Sequence, residues 1–374
     1  MVVLILSDFF YPSYKAGGIV QSLKNLLELN NHTIDFKVIT SNKDLDGGSV
    51  KDCGDLLNGV EYLSHMKVLC ALKNTRWSGI DVIYLNGIFS PFFFVLPLFY
   101  VRIFHSSVKV IIAPRGMLQS GAMEIRKAKK QLYLVFLKKL KIFDQVRWHA
   151  TDNQEEIDIK KFQKNAEVVL AKNVPKPPWK EALPLNVGNS NPLKLVFLSL
   201  ITEKKNLHLI LDALKNIDFP IIFNIYGPVK DDNYWNLCCQ LISCLPSNVK
   251  CQYHGAIKSE LSQEIFSNHH ALVLPSKGEN FGHAIYECLS VGRPVIIGKN
   301  TPWKNIEQNQ AGWLVDFTLQ DISSAIKKLG KISQYDFHDY CNNAMKIAQD
   351  YFWNSDFNSD YLELFNKKFF DNKK

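Results

Sequence analysis

Short apolar runs alternate with amphipathic stretches along nearly the whole chain. In the first half the runs are Val2–Ser7, Phe36–Thr40, Asp81–Asn86, Val108–Ala113, Val146–Thr151 and Glu167–Ala171. Most are continuous rather than alternating, the pattern of strands buried on both faces. Segments with helical spacing, such as Ile19–Leu29 and Lys129–Leu140, lie between them. The βαβα order predicts a parallel sheet with helices on both sides. The period then fails over Asn173–Pro192 (NVPKPPWKEALPLNVGNSNP), which holds five prolines and reads as an interdomain linker. After it the alternation restarts at Lys194–Leu200, Ile221–Tyr226, Val249–Tyr253, Ala271–Pro275, Pro294–Ile297 and Trp313–Asp316. The segment after the first of these sets Leu207, Ile210, Leu211 and Leu214 on one helical face.

The chain therefore reads as α/β, with two Rossmann-like doubly wound domains. The expected limits are 1–188 for the first and 189–345 for the second, with 346–374 a C-terminal helix crossing back to the first. Ligands of such sheets sit at the carboxyl ends of the strands, so a central cleft is the default site. The length of 374 residues suits two domains, and 47% hydrophobic residues excludes a disordered chain. None of the eight cysteines forms a C-x-x-C pair, which argues against a zinc ribbon or thioredoxin-type motif. Asp8 and Tyr11-Pro12 interrupt the short apolar start, so no cleavable leader is expected and a cytoplasmic setting with reduced thiols follows. The net charge of +8 suggests an acidic partner without naming it. Ile88–Phe104 is almost wholly apolar, but it is 17 residues long and contains two prolines and Arg102. A spanning helix needs about 20 residues, so a buried or interface helix is expected, opened by Ser90-Pro91.

No G-x-G-x-x-G follows the first strand and no Walker A motif occurs, which removes support for nicotinamide cofactors and P-loop hydrolysis. Gly17-Gly18 stands before a helix, where backbone amides can approach a phosphate, or where the pair simply makes a turn. The richest segment is Ser276–Ile296 (SKGENFGHAIYECLSVGRPVI). With a helix starting near Gly282, Glu279 stays in the loop and Glu287 lies more than a turn inside. Two carboxylates then face one pocket, suited to vicinal hydroxyls, with the amides near Phe281–His283 poised for phosphate. A loop glutamate followed by a solvated helix glutamate would have the same spacing.

Gly278–Val295 (GENFGHAIYECLSVGRPV) resembles the E-x7-E signature of retaining glycosyltransferases of family 4, which have the GT-B fold. Tyr14–Gly18, Ala113–Leu118, Trp148–Thr151, Phe197–Leu207, Ile225–Pro228, Tyr253–Ala256 and Thr301–Lys304 resemble further family segments in the same order. The resemblance implies that Glu279 binds hydroxyls of the transferred sugar and that Glu287 holds the nucleotide ribose. It implies that amides of Asn280, Phe281, Gly282 and His283, with Gly17 and Gly18, contact the diphosphate. Lys205 would neutralise the departing diphosphate, whose charge grows as the sugar–phosphate bond breaks. A nucleotide-diphosphate-sugar would be the co-substrate, with no cofactor and no metal. Asp44-Leu-Asp46 is the one D-x-D, and it lies outside the expected donor domain.

The sequence departs from the family at Leu200, where a second diphosphate-binding arginine usually stands five residues before the lysine. Lys204 on a helix would point about 100° away from Lys205, leaving Arg115 or Arg293 as substitutes. Arg115 and His149 are candidate catalytic residues on the acceptor side; a turn arginine and a structural histidine are the plain readings of each. Seven Lys or Arg in Arg126–Lys141, interleaved with Leu, Tyr, Val and Phe, suit an anionic membrane surface or a solvated helix face. No nucleic-acid motif accompanies them. The expected activity is retaining transfer of a sugar to a saccharide or lipid-linked acceptor in bacterial O-antigen, capsule or exopolysaccharide synthesis, at the cytoplasmic membrane face. A nucleotide-sugar epimerase of the same fold and a non-catalytic sugar-nucleotide-binding protein are the alternatives.

Overall fold

The structure is a computed structural model that describes residues 1–29, 33–50, 59–124, 127–187 and 191–366. Arg126 and the expected boundary at residue 188 fall outside the described residues, as does the end of the expected C-terminal helix from residue 367. The chain forms two compact units, Met1–Val174 with the segment beginning at Asp356, and Pro175–Ser355.

The first unit has seven strands: β1 (Val2–Ser7), β2 (Asp35–Ser41), β3 (Val60–Leu63), β4 (Val82–Asn86), β5 (Lys109–Ala113), β6 (Arg147–Ala150) and β7 (Glu167–Leu170). Their order is β3-β2-β1-β4-β5-β6-β7, and every pairing is parallel. The apolar runs became strands because both faces are covered: Val3, Ile5, Ile83, Leu85 and Ile111 have no exposed surface. The edge strand β3 is absent from the expectations above. Its residues Val-Glu-Tyr-Leu are half-buried at best, so no apolar run marks it.

The second unit has six: β8 (Leu193–Leu198), β9 (Ile221–Tyr226), β10 (Val249–Tyr253), β11 (Ala271–Leu274), β12 (Val295–Gly298) and β13 (Gly312–Val315). They run in the order β10-β9-β8-β11-β12-β13, again all parallel. The helix Leu207–Leu214 buries the expected face, with Leu207, Ile210, Leu211 and Leu214 fully inside. Pro175–Val187, read above as linker, belongs to this unit. The Trp179 amide donates to the Ser290 carbonyl at 2.9 Å, and Ala182, Leu185 and Val187 pack on the second core.

The apolar run 88–104 folds as a π-type turn, Pro91–Val95, and a helix, Leu96–Phe104. Ser90 caps the turn by accepting from the Phe93 amide at 3.1 Å. Phe93, Phe94, Leu98 and Val101 are core. No described helix is long and apolar enough to cross a membrane. Near the C-terminus, the helix Gln334–Trp353 ends at Asn354, and a second helix, Phe357–Phe365, starts under an Asp356 cap. The second helix is part of the first unit. Arg147 Nη1 donates to the Leu364 carbonyl at 2.8 Å, and the Phe365 ring meets Phe36 and Tyr84 edge-on.

Close backbone approach in the second unit requires glycine at one strand end. A Cβ at Gly227 (φ +137°) would lie 1.8 Å from the Ser199 carbonyl oxygen. Gly227→Ala is expected to destabilise the second unit by about 4 kcal/mol or more, read as a loss of soluble protein or an early thermal transition.

Candidate active site

The β8 and β11 strands are neighbours whose following connections lead to opposite sides of the sheet, a topological switch point. The two loops leaving their carboxyl ends are stitched together. Asn206, in the left-handed conformation (φ 56°) and buried, donates from Nδ2 to the Pro275 carbonyl at 2.8 Å. The Lys277 amide donates to the Lys204 carbonyl at 2.9 Å, and Lys277 Nζ pairs with Glu203 at 3.2 Å. This stitching sets Lys205, last residue of the 3-10 turn Glu203–Lys205, against Glu279 in a direct ion pair. Both side chains keep a little exposure, so the pair lines the crevice instead of being sealed beneath it.

The helix His283–Ser290 begins beside this pair, with Gly282 as its left-handed N-cap (φ 78°). Glu279 therefore lies in the loop, and Glu287 is on the second turn. An aromatic cluster supports the loop from below: the Phe281 ring packs with Tyr286, Trp303 and Tyr351, and Trp303 Nε1 donates to the Phe281 carbonyl at 2.7 Å. The Phe281 side chain is thus a core group.

Glu287 is 5% exposed. Burial raises its pKa above the usual carboxylate range, opposed by the charge of Lys176 and a hydrogen bond from Ser262. Lys176 Nζ stands 3.4 Å from Glu287 Oε1 and 3.0 Å from Ser262 Oγ, and it also donates to the Ser259 carbonyl. Lys176 was not anticipated. It lies in the proline-rich segment, where no period or motif points to a partner. Asn206 was missed too, although an Asn just ahead of a helix is a cap signal.

In the first unit, Gly17 closes the turn Tyr14–Ala16 in the left-handed region (φ 78°), and Gly18 starts the helix Gly18–Leu29. A Cβ on Gly17 would meet nothing within 4 Å, so φ rather than space selects glycine there. Both glycines are exposed.

Arg115 and His149, the candidates on the acceptor side, are both buried and bonded to protein partners. Arg115 is 7% exposed, and its guanidinium donates to Asn86 Oδ1 (2.8 Å), Asn173 Oδ1 (2.9 Å) and Tyr84 Oη (2.8 Å). His149 has no exposed surface; Nδ1 meets Tyr84 Oη at 2.7 Å and Nε2 the Ala171 carbonyl at 2.7 Å. Burial, then the Arg115 charge, depress its pKa to about 3. Glu155 completes this network by accepting from the Gly116 amide (2.6 Å) and the Thr151 amide (2.9 Å). These groups tie the first sheet's carboxyl edge together.

Arg293 is likewise unavailable as the second diphosphate cation. It is 1% exposed, with Nη2 donating to the carbonyls of Ser267 (2.7 Å) and Leu183 (2.8 Å). The expected divergence of Lys204 assumed an α-helix. The turn is 3-10, and the Lys204 stem runs along Gly278, its Cε 4.0 Å from where a Cβ there would be. Asp44 and Asp46 lie in the first unit beside Lys15, which pairs with Asp46 at 2.5 Å.

The two parallel-sheet Rossmann-like units match structures of GT-B glycosyltransferases. Residues 180–347, a little under half of the chain, match the model of the family described as glycosyl transferases group 1, which supports a group 1 glycosyltransferase. The D-rhamnosyltransferase WbpZ of Pseudomonas aeruginosa is 29% identical over 133 residues, which cover 34% of this chain and 32% of WbpZ. The aligned part is thus about a third of that relative. Anabaena HepE, solved with UDP and glucose, superposes with a TM-score of 0.72 at 16% identity over 97% of this chain and 98% of its own. The lipopolysaccharide outer core galactosyltransferase WaaB gives 0.63 at 15% identity, over 97% and 99%.

Removing the Lys176 cation should leave a buried, uncompensated carboxylate. A raised folded-state pKa means that Glu287 holds its proton more tightly in the folded than in the unfolded chain, so the folded protein loses stability as pH rises through that pKa. Lys176→Met should cost about 3–5 kcal/mol near neutrality, with the deficit shrinking on acidification. Glu287→Gln in the same background should restore most of it. Thermal unfolding against pH measures both.

Proposed function

We propose that this protein is a retaining glycosyltransferase that moves a sugar from a nucleotide-diphosphate-sugar to a saccharide or lipid-linked acceptor. The observation that carries this reading is the Lys205–Glu279 pair at the β8/β11 switch point, with Glu287 on the following helix. A carboxylate at the crevice takes paired hydrogen bonds from vicinal hydroxyls of the transferred sugar. A second carboxylate, deeper on the helix, takes the ribose diol. The helix N-terminus at Gly282–His283 supplies backbone N–H groups and a positive dipole end for the diphosphate.

Lys205 has the central electrostatic role. As the anomeric carbon–oxygen bond breaks, negative charge moves onto the leaving diphosphate, and a fixed ammonium there lowers the barrier. Glu279 holds Lys205 in place. When the sugar takes Glu279, Lys205 turns its charge to the phosphate. Lys204, along Gly278, is the second cation in place of the arginine that Leu200 replaces. No covalent nucleophile is assigned: the diphosphate oxygen takes the proton of the attacking acceptor hydroxyl on the face it leaves, which retains the anomeric configuration.

The names of the similar proteins support the same direction. HepE was solved with a nucleotide diphosphate and a sugar, WbpZ is a rhamnosyltransferase, and WaaB is a lipopolysaccharide galactosyltransferase. We assign this chain to bacterial surface-polysaccharide synthesis at the cytoplasmic membrane face. The helix Lys127–Lys139 supports this. Leu132 is 73% exposed, Val135 and Phe136 are also exposed, and lysines border them, a composition suited to an anionic lipid surface.

Glu279→Ala should reduce acceptor-dependent release of nucleotide diphosphate by about 100-fold or more while leaving the thermal transition within a few degrees of wild type. Unchanged turnover would remove the assigned role. In flotation with liposomes of phosphatidylglycerol at low salt, the wild-type protein should rise with the vesicles. Leu132→Glu with Phe136→Glu should stay at the bottom.

A further inference from the structure

The first sheet has its own switch point, between β1 and β4, and the side chains there are absorbed by neither the buried Arg115 network nor the reading above. Asp8 follows β1 directly, and Ser90 lies just past β4. Ser90 Oγ donates to Asp8 Oδ1 at 2.6 Å while accepting from the Phe93 amide, so one hydroxyl fixes both the turn and the carboxylate. Among the described residues, no other hydrogen bond reaches Asp8. The carboxylate is half-buried at the carboxyl edge, where loops of adjacent strands diverge.

Its surroundings have the chemistry of a saccharide subsite. Tyr133, from the helix Lys127–Lys139, donates to the Ile88 carbonyl at 2.8 Å and packs its ring 5.7 Å from that of Phe89. Both rings are half-buried beside the carboxylate, and the Lys130 ammonium stands 5.0 Å over the Phe89 ring. Exposed His65 stacks on Phe92 with centroids 4.9 Å apart. The groups that face Asp8 are Ser90 past β4, His65 from the turn His65–Lys67, and Tyr133. Burial raises the Asp8 pKa, against the Ser90 hydrogen bond and the His65 charge; burial, then the Asp8 charge, raise that of Tyr133.

We propose that Asp8 binds a hydroxyl of the acceptor saccharide in the first unit, with Ser90 as the residue that positions it. The inference rests on the glycosyltransferase reading. The carboxylate accepts a hydrogen bond and takes no proton; the transferred proton still goes to the diphosphate. The helix that carries Tyr133 also exposes its neighbours Leu132 and Phe136. A lipid-linked acceptor therefore finds its sugar and its lipid accommodated by one helix.

The test uses the full chain with UDP-glucose, UDP-galactose, GDP-mannose and GDP-rhamnose. Each is paired with octyl glycosides of glucose, galactose, mannose and rhamnose, and acceptor-dependent nucleotide release is measured. Asp8→Asn keeps an oxygen for Ser90 but loses the charge. It should lower kcat/KM for the acceptor by about 30- to 100-fold, the loss of a charge-assisted hydrogen bond, with UDP or GDP affinity unchanged by calorimetry. Because the ionised carboxylate is the binding form, acceptor affinity falls as pH drops through its raised pKa. Ser90→Ala removes an effect that lowers this pKa, so the acid limb of kcat/KM should move to higher pH. An Asp8→Asn enzyme within threefold of wild type overturns the assignment, and an unmoved acid limb in Ser90→Ala overturns the positioning role. If wild type releases nucleotide in no pairing, the transferase reading falls and this assignment falls with it.

Discussion

Parallel strand pairing is the constraint on which the rest of this structure depends. A parallel strand cannot return by a tight hairpin, so the chain must cross over the sheet before pairing again. Strand after strand therefore ends on the same edge. Each sheet has one place where adjacent connections diverge, β1 against β4 and β8 against β11. At those places the connections lead off to opposite sides, and polar side chains gather at the strand ends without being zipped into the ladder. Lys205 and Glu279 occupy one such place, Asp8 and Ser90 the other.

Buried charge is balanced in two ways. Around Arg115, each guanidinium nitrogen has a protein acceptor, and His149 has both ring nitrogens engaged. Such a complete network makes a rigid edge that holds the turn at Gly116 through Glu155. Glu287 is balanced by a lysine and a serine hydroxyl near the crevice. Its ionisation depends on Lys176, from a segment that resembles a passive linker in sequence. Breaking one partner of a buried pair is costly because the other is stranded, so Lys176 and Glu287 constrain each other.

Much of the fold was legible because burial on both faces imposes continuous apolar runs. Val2–Ser7, Ile221–Tyr226 and Val249–Tyr253 match their strands to the residue, and the other expected strands lie within two. The strand Val60–Leu63 left no such trace, since an edge strand with half-buried residues needs no apolar run. At the candidate site the positions of Glu279 and Glu287 relative to the helix start followed from Gly282, whose left-handed cap fixes where that helix begins. The surroundings of Arg115 and His149 were not legible in the sequence for a physical reason. A polar residue at a strand's carboxyl end has the same sequence signature whether it faces a crevice or turns beneath the sheet. Only the placement of Tyr84, Asn86 and Asn173 around them distinguishes the two.

By itself, then, the sequence determined the alternation of strand and helix, the parallel class of both sheets and the glycine-framed pair of carboxylates. Each of these is local, written in periodicity or in the backbone freedom of one residue. Tertiary structure alone decided which charges meet. Lys205 and Glu279 are 74 positions apart, Asp8 and Ser90 are 82 apart, and Lys176 reaches Glu287 from a segment with no period. Their pairing depends on strand order, and strand order comes from the packing of whole sheets.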